Sequence, residues 1–324
     1  HSPANILVLL LFGMLLKLPL FLHPIIPEAV STDTDLYRFI LQALASLGKG
    51  YPALYSLIAF ALVFVQALLL NGFINGNKMM TRPTYYPGMA YLLVTSLFQE
   101  WNQFSAALLV NTVLIALWGQ LYRIYNHTRP LGGLFNIGLI LGLSAFLFFP
   151  SIVFLLWVLL GLAFLRPFRL NEWLVCLLGT LTPSYFFGVW LFLSGQWNLA
   201  ALTPHFHVGI PRIPASAWTP AALFLLALPF LSGAYYVQES LGRMLIQVRK
   251  GWTMVLFFLL CSLLVLFVNT DHTVQNGAVA AIPLAALHAC TYLYASYRIF
   301  PLVLFWLSVA YVISYQYGFG PGWV

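Results

Sequence analysis

Asp33 and Asp35 are the residues whose type and spacing most directly suggest chemistry in this sequence. They are separated by a single threonine. A pair of carboxylates at this spacing can act as a general base or bind a divalent metal ion. The same aspartates would also suit the first turn of a helix, where carboxylates cap free N–H groups and oppose the helix dipole. The sequence leaves both interpretations open.

His205, His207 and Arg212 form a second polar group further along the chain. Guanidinium and imidazole groups bind phosphate or pyrophosphate oxygens, and arginine does so with two parallel hydrogen bonds. In an extended segment His205 and His207 point the same way, which would also suit a metal ion. An ordinary polar loop explains these residues equally well, so a substrate- or phosphate-binding role is one of two interpretations.

Two charged residues lie at the edges of apolar runs, where ionisable groups often mark function. Glu100 follows one such run and has Gln99 and Asn102 as neighbours, so it joins the substrate- or phosphate-binding candidates. Lys17 lies towards the end of the first apolar run. Its amine is predicted either to extend to the membrane surface or to pair with Glu28.

The elements that position these residues must be membrane-spanning helices. Of the 324 residues, 62% are hydrophobic and 6% are charged, whereas a soluble domain carries about 25% charged residues. The apolar runs are about 16–22 residues long, and no alternating pattern typical of barrel strands is present. Because only helices and closed barrels satisfy their backbone groups in lipid, the fold class is all-α, a polytopic transmembrane helix bundle.

About eleven spans are predicted from the apolar runs and the turn residues between them. They are 5–22, 51–74, 86–99, 104–122, 133–149, 151–165, 173–194, 219–237, 252–268, 276–296 and 299–316. The first run is longer than the apolar core of a signal peptide, so we expect it to be retained as a helix. A split at Pro150-Ser151 separates two of the shorter spans.

The charged residues predict how the spans are oriented. Basic residues collect in alternate loops, at Lys78, Arg82, Arg123, Arg129, Arg166, Arg169, Arg243, Arg249, Lys250 and Arg298. The opposite loops hold Glu28, Asp33, Asp35, Glu100 and Asp271. Basic loops face the cytoplasm, which places the amino terminus inside and the carboxyl terminus outside. This asymmetry explains the net charge of +7, and no dense basic cluster indicates a nucleic-acid partner.

Two of the outside loops, 23–50 and 195–219, are longer than turns. The first contains Asp35–Leu47, whose apolar residues recur at helical spacing and predict an amphipathic helix lying along the membrane surface. We expect residues 1–324 to form a single transmembrane domain. The three cysteines lie in apolar segments at no metal-like spacing and are predicted to be buried thiols.

Part of the sequence resembles a family of uncharacterised inner-membrane proteins of Bacteroidota. The resemblance rests on Phe164–Trp173 (Phe-Leu-Arg-Pro-Phe-Arg-Leu-Asn-Glu-Trp), Gly179–Tyr185 (Gly-Thr-Leu-Thr-Pro-Ser-Tyr), Asn136–Pro150 and the opening Ser2–Asn5. It implies a multi-pass protein of a bacterial inner membrane and no established activity. Members have sometimes carried a carotene-oxygenase label, and this chain lacks the four-histidine iron set that such an oxygenase needs.

The first outside loop also resembles that of membrane glycosyltransferases of the GT-C type, which use polyprenyl-phosphate sugars. Those enzymes share an inside amino terminus and a first outside loop with a catalytic acid followed by a surface helix. Asp33 or Asp35 would match that acid, and Tyr86-Pro87-Gly88 resembles the start of their third helix. The long additional helices or outer domain of those enzymes have no counterpart here, so this is an analogy of architecture.

Three functions remain open from the sequence. The first is a lipid-phosphate-sugar-dependent glycosyltransferase at the periplasmic leaflet, with membrane lipid and a polyprenyl phosphate as partners and a divalent metal ion as the one cofactor the residues suggest. The second is a non-enzymatic subunit of a larger complex for envelope biogenesis or secretion. The third is a transporter, which the absence of inverted repeats and mid-membrane acids disfavours.

Overall fold

The computed structural model describes residues 3–30, 33–48, 50–125, 128–197, 207–211, 216–270 and 273–319. Within these ranges the chain is almost entirely helical, and the only strand-like pairing is an isolated antiparallel bridge between Val208 and Val268. The helices are α1 (Pro3–Leu22), α2 (Asp35–Gly48), α3 (Ala53–Gly76), α4 (Tyr86–Val94), α5 (Ala106–Ile124), α6 (Leu131–Leu147), α7 (Phe154–Leu165), α8 (Leu170–Leu193), α9 (Trp218–Ser240), α10 (Ile246–Val265), α11 (Thr273–Asn276), α12 (Ala281–Tyr294) and α13 (Ile299–Ser314).

The helices confirm the predicted all-α transmembrane bundle. Eight helices in the described ranges are long and apolar enough to cross a membrane, and two shorter apolar helices cover Leu131–Leu147 and Phe149–Leu165. Every predicted span lies on a helix, including the nine-residue α4. The chain is therefore a multi-pass integral membrane protein, whereas the count of about eleven spans stays a prediction.

Hydrogen bonds gather the loops at two ends of the bundle. At one end, which we call the basic end, the Arg166 side chain donates to the Ile124 carbonyl at 2.8 Å and the Thr81 N–H donates to the Tyr294 hydroxyl at 3.0 Å. At the other, the acidic end, Thr34 Oγ1 donates to the Leu147 carbonyl at 2.8 Å. Basic and acidic loops thus lie at opposite ends of the bundle, as the alternation of charges predicts.

The centre of the bundle is formed by α4 and α12, which pack against each other. In Thr273–Tyr294, which contains α12, 78% of the most apolar stretch is buried inside the protein. In the outer helix α8 the corresponding share is 33%. Because side chains of outer helices that face away from the protein meet lipid, large exposed apolar residues are expected there.

Helices α6 and α8 approach each other closely through their backbones. A Cβ atom added to Gly138 would lie 2.1 Å from the Cys176 carbonyl oxygen, and one added to Gly179 would lie 2.4 Å from the Phe135 carbonyl oxygen. Small residues permit such contacts between membrane helices, where packing rather than water drives association. We call this contact the α6–α8 glycine seam, defined by Gly138, Gly142 and Gly179.

Helix α2 confirms the predicted amphipathic segment of the first long loop. Tyr37 and Leu41 are buried, and Tyr37 packs beside Phe104 with ring centroids 6.2 Å apart. Phe39 is exposed on another side of the helix, where a surface-lying helix would contact lipid. This packing fixes the position of the loop that precedes α2 and carries Asp33.

Helix α4 is shorter than predicted, since it ends at Val94 rather than at residue 99. The Thr95 hydroxyl donates to the Tyr91 carbonyl at 2.8 Å, and the Ser96 hydroxyl donates to the Leu92 carbonyl at 2.7 Å. Hydroxyl groups that take up backbone carbonyls in this way compete with continued helix hydrogen bonding. The chain then leaves the helix and forms a 3-10 turn over Gln99–Asn102.

Candidate functional site

A cleft at the acidic end contains one of the two predicted catalytic aspartates, Asp33. Its volume is about 280 Å³, including the part that opens to the surface. Four separate stretches of chain meet there: the loop before α2, the start of α5, the end of α6 with the turn after it, and the connection between α10 and α12. The lining residues are Asp33, Thr34, Ala106, Leu147, Phe148, Phe149, Pro150, Asn269 and Asn276. We call this the Asp33 cleft.

Local hydrogen bonds hold Asp33 in place. Its Oδ2 accepts from the Val30 N–H at 2.8 Å, and its own N–H donates to the Val30 carbonyl at 3.1 Å. Thr34 then ties the loop to the carboxyl end of α6, where helix carbonyls lack partners of their own. No described residue hydrogen-bonds the other oxygen, Oδ1, so Asp33 retains an acceptor for a ligand.

Tyr37, in the first turn of α2, has a phenol pKa that is affected by the charge of Asp33. Burial raises the pKa of the Tyr37 phenol, and the negative charge of Asp33 raises it further. The phenol therefore stays protonated and donates to the Phe104 carbonyl at 3.4 Å. The nearest basic side chain of α2, Arg38, donates to the Val30 carbonyl at 3.0 Å, the same carbonyl that accepts from the Asp33 N–H.

Asp35, the second predicted catalytic residue, lies elsewhere. Its side chain is 90% exposed and faces Arg38 across 3.8 Å, as an acid in the first turn of a helix commonly does. Asp35 is not among the residues that line the Asp33 cleft. The structure thus separates the two aspartates by environment, and catalytic and metal-binding roles for them stay predictions.

Two asparagines that the sequence did not single out complete the polar part of the cleft. Asn276 Nδ2 donates to the carbonyls of Asn269 and Val268 at 3.0 and 3.2 Å, which fixes its orientation. Asn269 has a φ of 53°, a left-handed conformation that asparagine tolerates better than most residues. Unusual backbone of this kind concentrates at functional sites, and it places the Asn269 amide at the cleft.

His207, one of the predicted binding residues, is adjacent to this connection. The His207 N–H donates to Asn269 Oδ1 at 3.1 Å, and the Thr270 N–H donates to His207 Nε2 at 3.2 Å. These two hydrogen bonds tie His207 to the connection between α10 and α12. His205 and Arg212 lie outside the described residues.

Glu100 does not join the Asp33 cleft. It lies in the Gln99–Asn102 turn, and its Oε2 is buried with no hydrogen-bond partner among the described residues. The turn is held against α11 by Trp101, whose Nε1 donates to the Val274 carbonyl at 2.6 Å. The substrate-binding role predicted for Glu100 stays a prediction at a separate position of the acidic end.

Lys17 behaves differently from the sequence-based prediction. Its side chain is completely buried, and its Nζ donates to Thr95 Oγ1 at 2.9 Å, to Ser96 Oγ at 3.0 Å and to Asn102 Oδ1. It neither extends to the surface nor pairs with Glu28. The sequence does carry a signal for this site, because Thr95, Ser96 and the polar run 99–103 interrupt an otherwise apolar region.

The arrangement of possible metal ligands is sparse. In the described ranges, no three His, Cys, Asp or Glu side chains come close enough together to hold a metal ion. The cysteines Cys176, Cys261 and Cys290 are buried thiols, as predicted. The polar groups that do converge at the acidic end are one carboxylate, two carboxamides and an imidazole, a set suited to hydrogen bonding and proton transfer.

No protein-family model, no curated protein and no solved structure matches this chain. The function must therefore be inferred from the chemistry of the acidic end.

Proposed function

We propose that this protein is a membrane glycosyltransferase that uses a lipid-phosphate-linked sugar and acts at the acidic end. The observation that carries the proposal is the position of Asp33. Its carboxylate lies in a cleft that four separate stretches of the chain build together, next to the amphipathic helix α2, which we predict to lie along the membrane surface. A lipid-linked substrate presents its headgroup at that depth, so the cleft can meet it without leaving the bilayer.

Asp33 acts as the general base in this proposal. Its free oxygen takes the proton from an acceptor hydroxyl, whose oxygen forms a bond to C1 of the sugar. The bond between C1 and the phosphate oxygen breaks, and the lipid phosphate leaves with the bonding electron pair. A carboxylate at hydrogen-bond distance from the attacking hydroxyl typically contributes about 10²- to 10⁴-fold to such a rate.

The remaining groups would position the substrates. The Asn276 amide oxygen provides an acceptor for a sugar hydroxyl, and the left-handed backbone at Asn269 orients the Asn269 side chain. The backbone N–H of His207 donates to Asn269 Oδ1 and so helps to hold the Asn269 side chain in place. In the proposed orientation the acidic end faces the periplasm of a bacterial inner membrane, where polyprenyl-phosphate sugars are used by the enzymes this loop resembles.

A comparison of two single variants tests the role of Asp33. The purified chain is incubated with a polyprenyl-phosphate-linked radioactive sugar in the presence of membrane extract as the source of acceptor, and released polyprenyl phosphate is measured. We expect Asp33→Asn to lower the rate about 10²-fold or more. Asp35→Asn is the matched control, because it removes an identical charge two residues away from a side chain that is 90% exposed.

Equal rates for the two variants would refute Asp33 as the base. Mass spectrometry of the gently extracted wild-type protein provides an independent test, because a transferase should retain a polyprenyl phosphate or its sugar conjugate. A polypeptide at fixed ratio with no such lipid would instead favour a subunit of a larger complex.

A further inference from the structure

Three oxygen atoms surround the Lys17 amine. The Thr95 and Ser96 hydroxyl oxygens lie within hydrogen-bond distance of Lys17 Nζ and also of the Tyr91 and Leu92 carbonyls. The Asn102 Oδ1 can only accept. An ammonium ion has three N–H groups, one for each of these oxygens. In that form Lys17 would carry a positive charge inside the bundle.

No carboxylate balances this charge within the described part of the chain. The ion pairs found there involve Arg38, Arg166 and Arg169. Glu100 is two residues from Asn102 but makes no contact with Lys17 within ion-pairing distance. A buried charge without a counter-charge costs several kcal/mol, and neutral hydrogen-bond partners offset only part of that cost. A bound anion would supply what is missing.

A second cleft lies next to this ammonium. Its lining residues are Pro19, Leu20, His23, Ile25, Gln99, Asn102, Gln103 and Gln316. Asn102 both contacts Lys17 and lines this cleft. Because its amide oxygen faces Lys17, its NH₂ group is left to face the cleft. The positive charge of Lys17 thus polarises a donor that points at the ligand position.

We propose that this second cleft binds a phosphate group, with Lys17 as the buried counter-charge and Asn102 as a direct donor. The side-chain amides around the cleft offer more donors than a carboxylate needs and suit the three or four oxygens of a phosphate. The phosphate can belong to a lipid or be free in solution. A lipid suits this position, because α1, which contributes Pro19 and Leu20 to the cleft, also carries the exposed leucines Leu15, Leu18 and Leu22. This site does not depend on the proposed transferase activity.

The test uses the full-length protein in maltoside detergent with a photo-activatable phosphatidate, and diacylglycerol with the same photo-group as the probe that lacks phosphate. Cross-linked peptides are mapped by mass spectrometry. We expect phosphatidate to cross-link within residues 19–25 or 99–103 and diacylglycerol not to do so. Cross-links at the basic end, where arginines also attract anionic lipids, serve as an internal reference.

Two variants distinguish a binding role of Lys17 from a purely structural one. Lys17→Met removes the charge, whereas Asn102→Asp keeps the hydrogen bond to Lys17 and supplies an internal counter-charge in a side chain of the same shape. We expect each to weaken phosphatidate cross-linking at the cleft about 10- to 100-fold, the loss of one charged hydrogen-bonding interaction. Asp33→Asn, which tests the Asp33 cleft, should leave this cross-link unchanged.

The outcomes separate cleanly. Competition by inorganic phosphate at millimolar concentration would identify a soluble phosphate as ligand, and resistance to it would identify a lipid; both support the site. Undiminished cross-linking in Asn102→Asp would overturn the proposal. Equal labelling of the cleft by diacylglycerol in the wild-type protein would overturn it as well, even if neither variant folds.

Discussion

Replacing Gly138 by alanine should lower the free energy of unfolding by about 3 kcal/mol or more. The added Cβ would lie 2.1 Å from the Cys176 carbonyl oxygen and 2.9 Å from the Thr180 nitrogen, and both are backbone atoms of α8. Ordinary contact begins at 3.4 Å, so the helices must separate by about 1.3 Å, the difference between 3.4 and 2.1 Å. No side-chain rotation can absorb this movement, which places the cost at the upper end of overpacking.

The matched control is Gly132→Ala on the same helix. A Cβ atom added there meets no other atom within 4 Å, and alanine is the better helix former by about 1 kcal/mol. We would measure both variants by reversible unfolding in mixed micelles with increasing dodecyl sulfate, followed by tryptophan fluorescence. If Gly138→Ala unfolds within about 0.5 kcal/mol of Gly132→Ala, the α6–α8 glycine seam is not the close contact described.

A double variant makes the test sharper. Gly179→Ala places a Cβ 2.4 Å from the Phe135 carbonyl oxygen, on the opposite side of the same seam. Once α6 and α8 are forced apart by one methyl group, the second has room, so the two losses should add to less than their sum. Full additivity would mean that each substitution acts at an unrelated place.

Two further predictions concern the basic end and the orientation of the chain. Glu172→Gln should cost about 3–5 kcal/mol in the same unfolding assay, because Glu172 accepts from Arg166 at 3.0 and 3.2 Å and both side chains are nearly buried. The control is Arg169→Gln, at a side chain that is 64% exposed, and it should cost about 1 kcal/mol or less. Equal losses of stability in the two variants would contradict the argument from burial. A membrane-impermeant maleimide added to intact cells should label Asp35→Cys and not Arg243→Cys, against the low background of the buried native thiols, and the reverse pattern would invert the predicted topology.

Much of the fold could be predicted from the sequence, because lipid imposes a simple rule on it. A run of apolar residues long enough to cross the bilayer must be helical, whatever it packs against. Even the break between two short spans was predicted from Pro150, and the structure has a 3-10 turn over Phe149–Val153 there. The end of α4 was missed because it depends on the side-chain hydroxyls of Thr95 and Ser96, which apolar run length does not register.

The candidate sites were less predictable, because their geometry depends on contacts distant in sequence. Asp33 and Asp35 look alike in the sequence, and only the packing of the loop against α6 and the α10–α12 connection places one of them in a cleft. The sequence predicts that Lys17 reaches the membrane surface or pairs with Glu28, because its actual hydrogen-bond acceptors are not near it in sequence. Its acceptors lie 78, 79 and 85 residues further along the chain.

That separation also has a consequence for how the protein is made. Helix α1 leaves the ribosome long before residues 95–102 exist, so Lys17 enters the membrane without its acceptors. A lysine at the centre of a helix opposes insertion by about 2.5–3.5 kcal/mol on translocon scales, and Lys17, towards the end of α1, can lower that cost by reaching the membrane surface for a time. The high hydropathy of the rest of α1 must offset the remainder until α4 and the Gln99–Asn102 turn are made. Biogenesis of this protein thus includes a step in which α1 waits in the lipid or beside the insertion machinery for a partner synthesised later.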